Sequence, residues 1–300
     1  MSKILPVSRG IETHPYLVSS LAELPSSLQV AARQALSPTE QPDHIFMVPA
    51  QSFFRSWLSR RYVPPQALLF TAQGVLHVQE AASPGEPAPA TYLQGDDLLY
   101  IQLHLLLLYG RLELVGLANG ALTRVVVEFN TVGFSMLQPG LRQLLPLTWG
   151  AIKLEKSDAL DRTLSEFDGL PLKFKNGLRL YGLQPNERLL GVIFQHRLWK
   201  RYGRALQHQV SANTLLALTD HELVIIEEEK TGWKNPYGWI LTFCPLACLK
   251  EFETTPEGAW QELQLRLARK GVEVDRRVKL GPETALNWQA LWSRYHMGQN

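Results

Sequence analysis

Residues 215–230 read LLALTDHELVIIEEEK. Two apolar runs flank Thr219-Asp220-His221, and acidic residues close the second run. Asp accepts hydrogen bonds from nearby backbone N–H groups, so this order predicts two strands around a tight turn. Residues 68–80, LLFTAQGVLHVQE, carry the same order: apolar run, Thr, short polar step, apolar run, acidic end. Thr71 aligns with Thr219. Self-similarity at a fixed separation marks a duplicated unit.

Working outward, the separation holds at about 147 residues. LPSSLQVAARQALSPTE (24–40) faces LPLKFKNGLRLYGLQPNE (170–187), each opening on Leu-Pro and ending on Leu-x-Pro-x-Glu. DHIFMVPAQSFFRSW and RLLGVIFQHRLWKRY follow, apolar runs leading into basic and aromatic residues. The copies close with VEFNTVGFSMLQPGLRQLL and VKLGPETALNWQALWSRY, each a strand followed by a helical pattern. Several landmarks in one order predict two domains, 1–147 and 148–300.

In the second copy, strands are expected at about 188–198, 213–219, 222–229, 237–244, 248–254, 260–269 and 272–280. Leu263, Leu265 and Leu267 alternate with polar residues, the period of a strand with one buried face. Gly281-Pro282-Glu283 opens a helix, since proline at the first helical position loses no needed N–H. Ala285, Trp288, Trp292 and Tyr295 fall on one face of it. The second domain is thus a linker helix at about 157–168, strands over about 187–280 and a helix at about 282–296. The first is a helical region at 10–36, strands over about 40–130 and a helix at about 131–146, which Pro139 should kink or split. Residues 81–92, rich in Pro and Gly, read as a long loop.

This α+β arrangement of seven strands and a closing helix resembles bacterial pleckstrin-homology-like (PH-like) domains. LLALTDHELVIIEEE is similar to the family's Ala-Leu-Thr-x-x-x-Leu hairpin, and WILTFCPLACLKEFE to its strand, Pro-Leu step and next strand. The resemblance implies two strongly bent antiparallel β-barrel or sandwich domains, each closed by its C-terminal helix. The family often has Arg just before the hairpin Leu. Glu222 and Gly74 stand there, so no role of that Arg carries over.

Eukaryotic members of the superfold bind phosphoinositides through basic residues between the first two strands. The matching stretches hold Arg55, Arg60 and Arg61 in one copy and Arg197, Lys200, Arg201 and Arg204 in the other. Lys234 would extend the second set. Arginine forks match phosphate and carboxylate oxygens. Trp57, Trp199 and Tyr202 add interface-forming aromatics. The expected function is a non-enzymatic interaction or scaffold module for protein or peptide partners, on these loops and on an exposed sheet edge. The alternatives are peripheral binding of anionic lipid headgroups through the same loops, and an enzyme with a site between the copies.

No P-loop, G-x-S-x-G elbow or G-x-G-x-x-G occurs, and no His-x-x-x-His pair with an acid, so neither catalytic residues nor a cofactor or metal site is predicted. Residues 227–230, EEEK, read as an exposed strand end, because consecutive side chains alternate faces and do not converge on a cation. The two cysteines, Cys244 and Cys248, have no second pair for zinc and fit a reduced, cytosolic protein. Net charge is +2, too mild for a nucleic-acid partner. The longest apolar run, 98–110, is shorter than a membrane span and contains Gln102 and His104. With 45% hydrophobic residues the chain is expected to bury real cores.

Overall fold

A computed structural model describes residues 14–56, 59–83, 85–150, 169–185, 187–202, 206–229 and 238–296. The linker helix expected at 157–168 lies outside these residues, as do Arg204 and Lys234. The first half runs β1 (Tyr16–Val18), α1 (Ser26–Ala35), β2 (Pro42–Val48), β3 (Gln51–Ser56), β4 (Ser59–Val63), β5 (Gln66–Thr71), β6 (Gly74–Gln79), β7 (Ala90–Gln94), β8 (Leu98–Leu106), β9 (Tyr109–Ala118), β10 (Ala121–Phe129) and α2 (Phe134–Thr148). The second runs α3 (Leu172–Gly177, continued by a π turn Leu178–Gly182), β11 (Leu189–Gln195), β12 (Leu198–Tyr202), β13 (Leu206–Ser211), β14 (Thr214–Thr219), β15 (Glu222–Glu228), β16 (Gly238–Pro245), β17 (Leu249–Glu257), β18 (Trp260–Arg269), β19 (Val272–Leu280) and α4 (Pro282–His296).

The order from β2 to α2 recurs from β11 to α4, down to irregularities of register. The ladder of β2 on β5 shifts between Pro42 and His44, and that of β11 on β14 between Leu189 and Gly191. β8 on β9 shifts between Leu98 and Tyr100, and β17 on β18 between Leu249 and Glu251. A bulge adds one residue and bends a strand at a set place. The β9–β10 turn uses Asn119 and Gly120 at φ 51° and 76°; the β18–β19 turn uses Lys270 and Gly271 at 48° and 82°. Two successive left-handed residues give a hairpin turn whose twist matches the strands it joins.

The fold is mostly β with a few helices, as expected, but none of the sheets closes into a barrel among the described residues. They are linear: β1-β2-β5-β6-β7, β10-β9-β8-β16-β15-β14-β11, β17-β18-β19, and the hairpins β3-β4 and β12-β13. The ladder of each series breaks early instead, so that β3–β4 and β12–β13 pair apart from the larger sheets. Pro49 separates β2 from β3, and Pro64 and Pro65 separate β4 from β5. Proline cannot donate to a ladder, so the pairing stops there in the first series; the second series breaks at His196-Arg197 and Ala212-Asn213 without proline. Among the described residues each series has nine strands rather than seven, and Leu198–Tyr202 pairs with Leu206–Ser211 where loop was expected in part.

The chain divides into two compact units, Met1–Tyr92 with Val127–Leu144, and Leu93–Val126 with Leu145–Asn300. In the first, α1 buries Leu28, Ala31 and Ala32, spaced along one helical face, in a core with Ile45, Met47 and Leu69. Gly140 in α2 meets Phe70 so closely that a Cβ there would overlap the Phe70 ring. Pro139 does not split α2, which runs unbroken from Phe134 to Thr148. In the second unit, α4 sets Ala285, Trp288 and Leu291 into a core with Leu216, Ile225 and Leu265. Burial of each large apolar side chain of this kind contributes roughly 1.5–3 kcal/mol, which fixes the helix on the sheets.

Candidate functional site

The two hairpins carry five of the predicted basic residues. Arg55 lies on β3, Arg60 and Arg61 on β4, and Lys200 and Arg201 on β12. Arg197 precedes β12 by one residue. Phe53 pairs with Arg61 and Phe54 with Arg60; Trp199 pairs with Gln209, Lys200 with His208 and Arg201 with Gln207. The side chains of Arg55, Arg60 and Arg201 lie outside the described residues. Each hairpin leaves an aromatic ring in water: Tyr62 is 67% exposed and Trp199 48%.

The described guanidinium groups already have acidic partners. Arg61 pairs with Glu128 on β10. Arg197 Nη2 lies 3.7 Å from Glu228 Oε2, and its backbone N–H donates to Asn213 Oδ1 at 2.8 Å. Lys173 Nζ donates to Glu228 Oε1 at 3.0 Å, and Asn213 Nδ2 to Oε2 at 2.7 Å. Glu228 is thus a buried hub rather than the exposed strand end expected of 227–230. A carboxylate this enclosed is tolerated only because its oxygens are satisfied by cations and an amide. Lys200 Nζ stands 5.6 Å from the Trp260 ring centroid, in cation–π range.

At the opposite end of the β2–β5 and β11–β14 ladders from each hairpin sits one Glu–Thr clamp. Thr219 Oγ1 donates to Glu187 Oε1 at 2.5 Å and accepts from the backbone N–H groups of His221 and Glu222 at 3.2 and 2.9 Å. Thr71 Oγ1 donates to Glu40 Oε1 at 2.5 Å and accepts from the N–H groups of Gln73 and Gly74, both at 3.2 Å. In the first unit Tyr92 donates its hydroxyl to Glu40, and burial with that carboxylate pushes its pKa up to about 12.

The second clamp carries an additional acid. Glu222 stands where the first has Gly74, is fully buried, and has Trp149 Nε1 at 3.4 Å from Oε2. Burial, then the Glu187 charge, holds its carboxyl well above the usual carboxylate range. Burial, with Asp220 adding repulsion, raises Glu187 to about 7. Arg188 Nε reaches Asp220 Oδ2 at 3.2 Å. Trp149 lies flat on His221, the ring centroids 4.2 Å apart. Sequence reasoning missed this cluster; its signal is an acid between the turn and an apolar strand, where a period of two demands burial.

The remaining reactive groups are packed. His77 Nε2 meets Gln66 Oε1 at 2.9 Å, and burial lowers its pKa to about 4. Cys244 is buried, which pushes its thiol up to about 12, so it stays protonated and unreactive. Cys248 is buried as well, its Sγ 2.9 Å from Arg269 Nε. Asn130 caps the turn before α2, its side chain accepting from the Val132 N–H at 3.0 Å. Among the described residues, no group of three or more His, Cys, Asp and Glu could hold a metal, and no helix is long and apolar enough to cross a membrane. No family model matches the chain, and no curated protein matches it.

Proposed function

We propose that the chain is a non-enzymatic recognition module of two PH-like copies that takes protein or peptide partners on its aromatic, basic hairpins. The carrying observation is that β3–β4 and β12–β13 hold the same place in both series, each with an exposed ring, Tyr62 or Trp199, beside arginine. Tyr, Trp and Arg are the side chains that anchor protein interfaces, because they bury large area with few torsions and keep a polar handle. The shared clamps and shared bulges support the reading of two copies.

Anionic lipid headgroups are the competing ligand. Glu128 and Glu228 weigh against them, since each already occupies an arginine that a phosphate would need. Selection of peptides from a random displayed library on the full chain tests the reading. Selected peptides should bind wild type and lose most of their affinity for Tyr62→Ser with Trp199→Ser. Equal binding to that variant, or salt-sensitive flotation with anionic but not neutral vesicles, would favour lipid or another surface.

A further inference from the structure

β16 adds to the outer edge of β8 as one strand of the seven-stranded sheet, with Trp239 opposite Leu105, Leu241 opposite Leu103 and Phe243 opposite Ile101. The Glu229 N–H donates to the Gly238 carbonyl at 3.3 Å, so Gly238 turns its backbone groups toward β15. Strand residues alternate, so Trp239, Leu241 and Phe243 turn theirs toward β8, and Leu105, Leu103 and Ile101 answer.

β17 is the counterpart of β8. Both have nine residues, a register shift after the first residue, and the same pairing with the next strand, ending Leu106 opposite Tyr109 and Glu257 opposite Trp260. β7 is likewise the counterpart of β16. If β16 adds to β8 within a chain, β7 of a second chain meets the same geometry on β17, and the addition would repeat without limit. Such heterologous contacts build open filaments unless the rotation closes.

The chemistry of the two edges differs. β8 reads LLYIQLHLL, and β17 reads LKEFETTPE. Pro256 takes the place of Leu105, one of the residues whose N–H faces the incoming strand, so that donor is missing. Lys250, Glu251 and Glu253 are exposed where β8 has Leu99, Tyr100 and Gln102. Edge prolines and charges prevent strand addition, because an unpaired acceptor and desolvated charges cost more than the remaining ladder returns.

We infer that the outer edge of β17 is a built stop: strand addition between copies is used once, by β16 on β8, and is closed to a second copy of the chain at β17. The inference rests on the two-copy reading but not on what the hairpins bind. Sedimentation of the full chain tests it. Wild type should run as one species over a wide concentration range. Pro256→Leu with Glu253→Gln, which restores the residues of β8, should self-associate as concentration rises. The Gln79 N–H donates to the Pro89 carbonyl at 3.1 Å, so Ala90 turns its N–H outward, and Ala90→Pro in β7 should abolish that association. Self-association of wild type, or a folded double variant that stays a single species, would overturn the stop. If the double variant does not fold, amide exchange of wild type decides. The Phe252 and Thr254 amides should exchange without protection at every concentration, and protection that grows with concentration contradicts the stop. None of these outcomes bears on peptide selection at the hairpins, so the two readings fail separately.

Discussion

Thr219 donates to Glu187 at 2.5 Å, joining the end of the Leu-x-Pro-x-Glu motif to the turn between β14 and β15. Thr71 and Glu40 make the same bond in the first unit. One hydroxyl gathers a carboxylate and two turn N–H groups that would otherwise be left without partners. Thr219→Val and Thr71→Val keep the shape and remove the bond. Each should cost about 1–3 kcal/mol in urea unfolding, since buried polar groups lose their partner. A neutral result at either site would show that its clamp is incidental.

The buried acids give a pH dependence with a definite sign. Glu187 and Glu222 both stand above their ordinary value in the folded chain. The folded state therefore keeps protons that the unfolded chain has released. Their contribution is whole below the unfolded carboxyl value and is lost as pH rises through about 7 for Glu187. Glu222→Gln should flatten this alkaline decline and raise the urea midpoint above neutral pH. An unchanged slope would mean that the carboxyl is hydrated in solution.

α2 reaches its place in the first unit through Gly140. A methyl group there would overlap the Phe70 ring, and Phe70 is fully buried. Gly140→Ala should lower stability by about 1–3 kcal/mol, the usual cost of forcing volume into a packed core. A melting temperature equal to wild type would show that the helix stands off the sheet.

The hairpin 214–228, the strands 260–280 and the closing helix are legible in the sequence because one period dominates each and the turn residues are local. Leu263, Leu265 and Leu267 are buried, and so are Ala285 and Trp288. The hairpin β12–β13 is not legible. LWKRYGRALQHQV mixes charge and apolar residues without a turn dipeptide at its centre, and its strands find their environment only in the fold. Glu228 reads as one of three solvated acids because Lys173, which neutralises it, is 55 residues away. The pairing of β8 with β16 has no local signal at all: Gln102 Nε2 donates to Thr242 Oγ1 across 140 residues of chain.

That pairing carries the account, since it joins a strand of one series to the sheet of the other and leaves β17 as the unmatched edge. Gln102 and Thr242 are directly opposed in register. They belong to the closer, non-hydrogen-bonded class of pair, with Cα atoms about 4.5 Å apart, within reach of a disulfide. The most direct measurement is oxidation of Gln102→Cys with Thr242→Cys, followed by mass analysis of the bridge. The account predicts near-complete bridging of 102 to 242 within single chains, while Cys244 and Cys248 stay reduced. Free thiols at 102 and 242, or bridges only between chains, would contradict it.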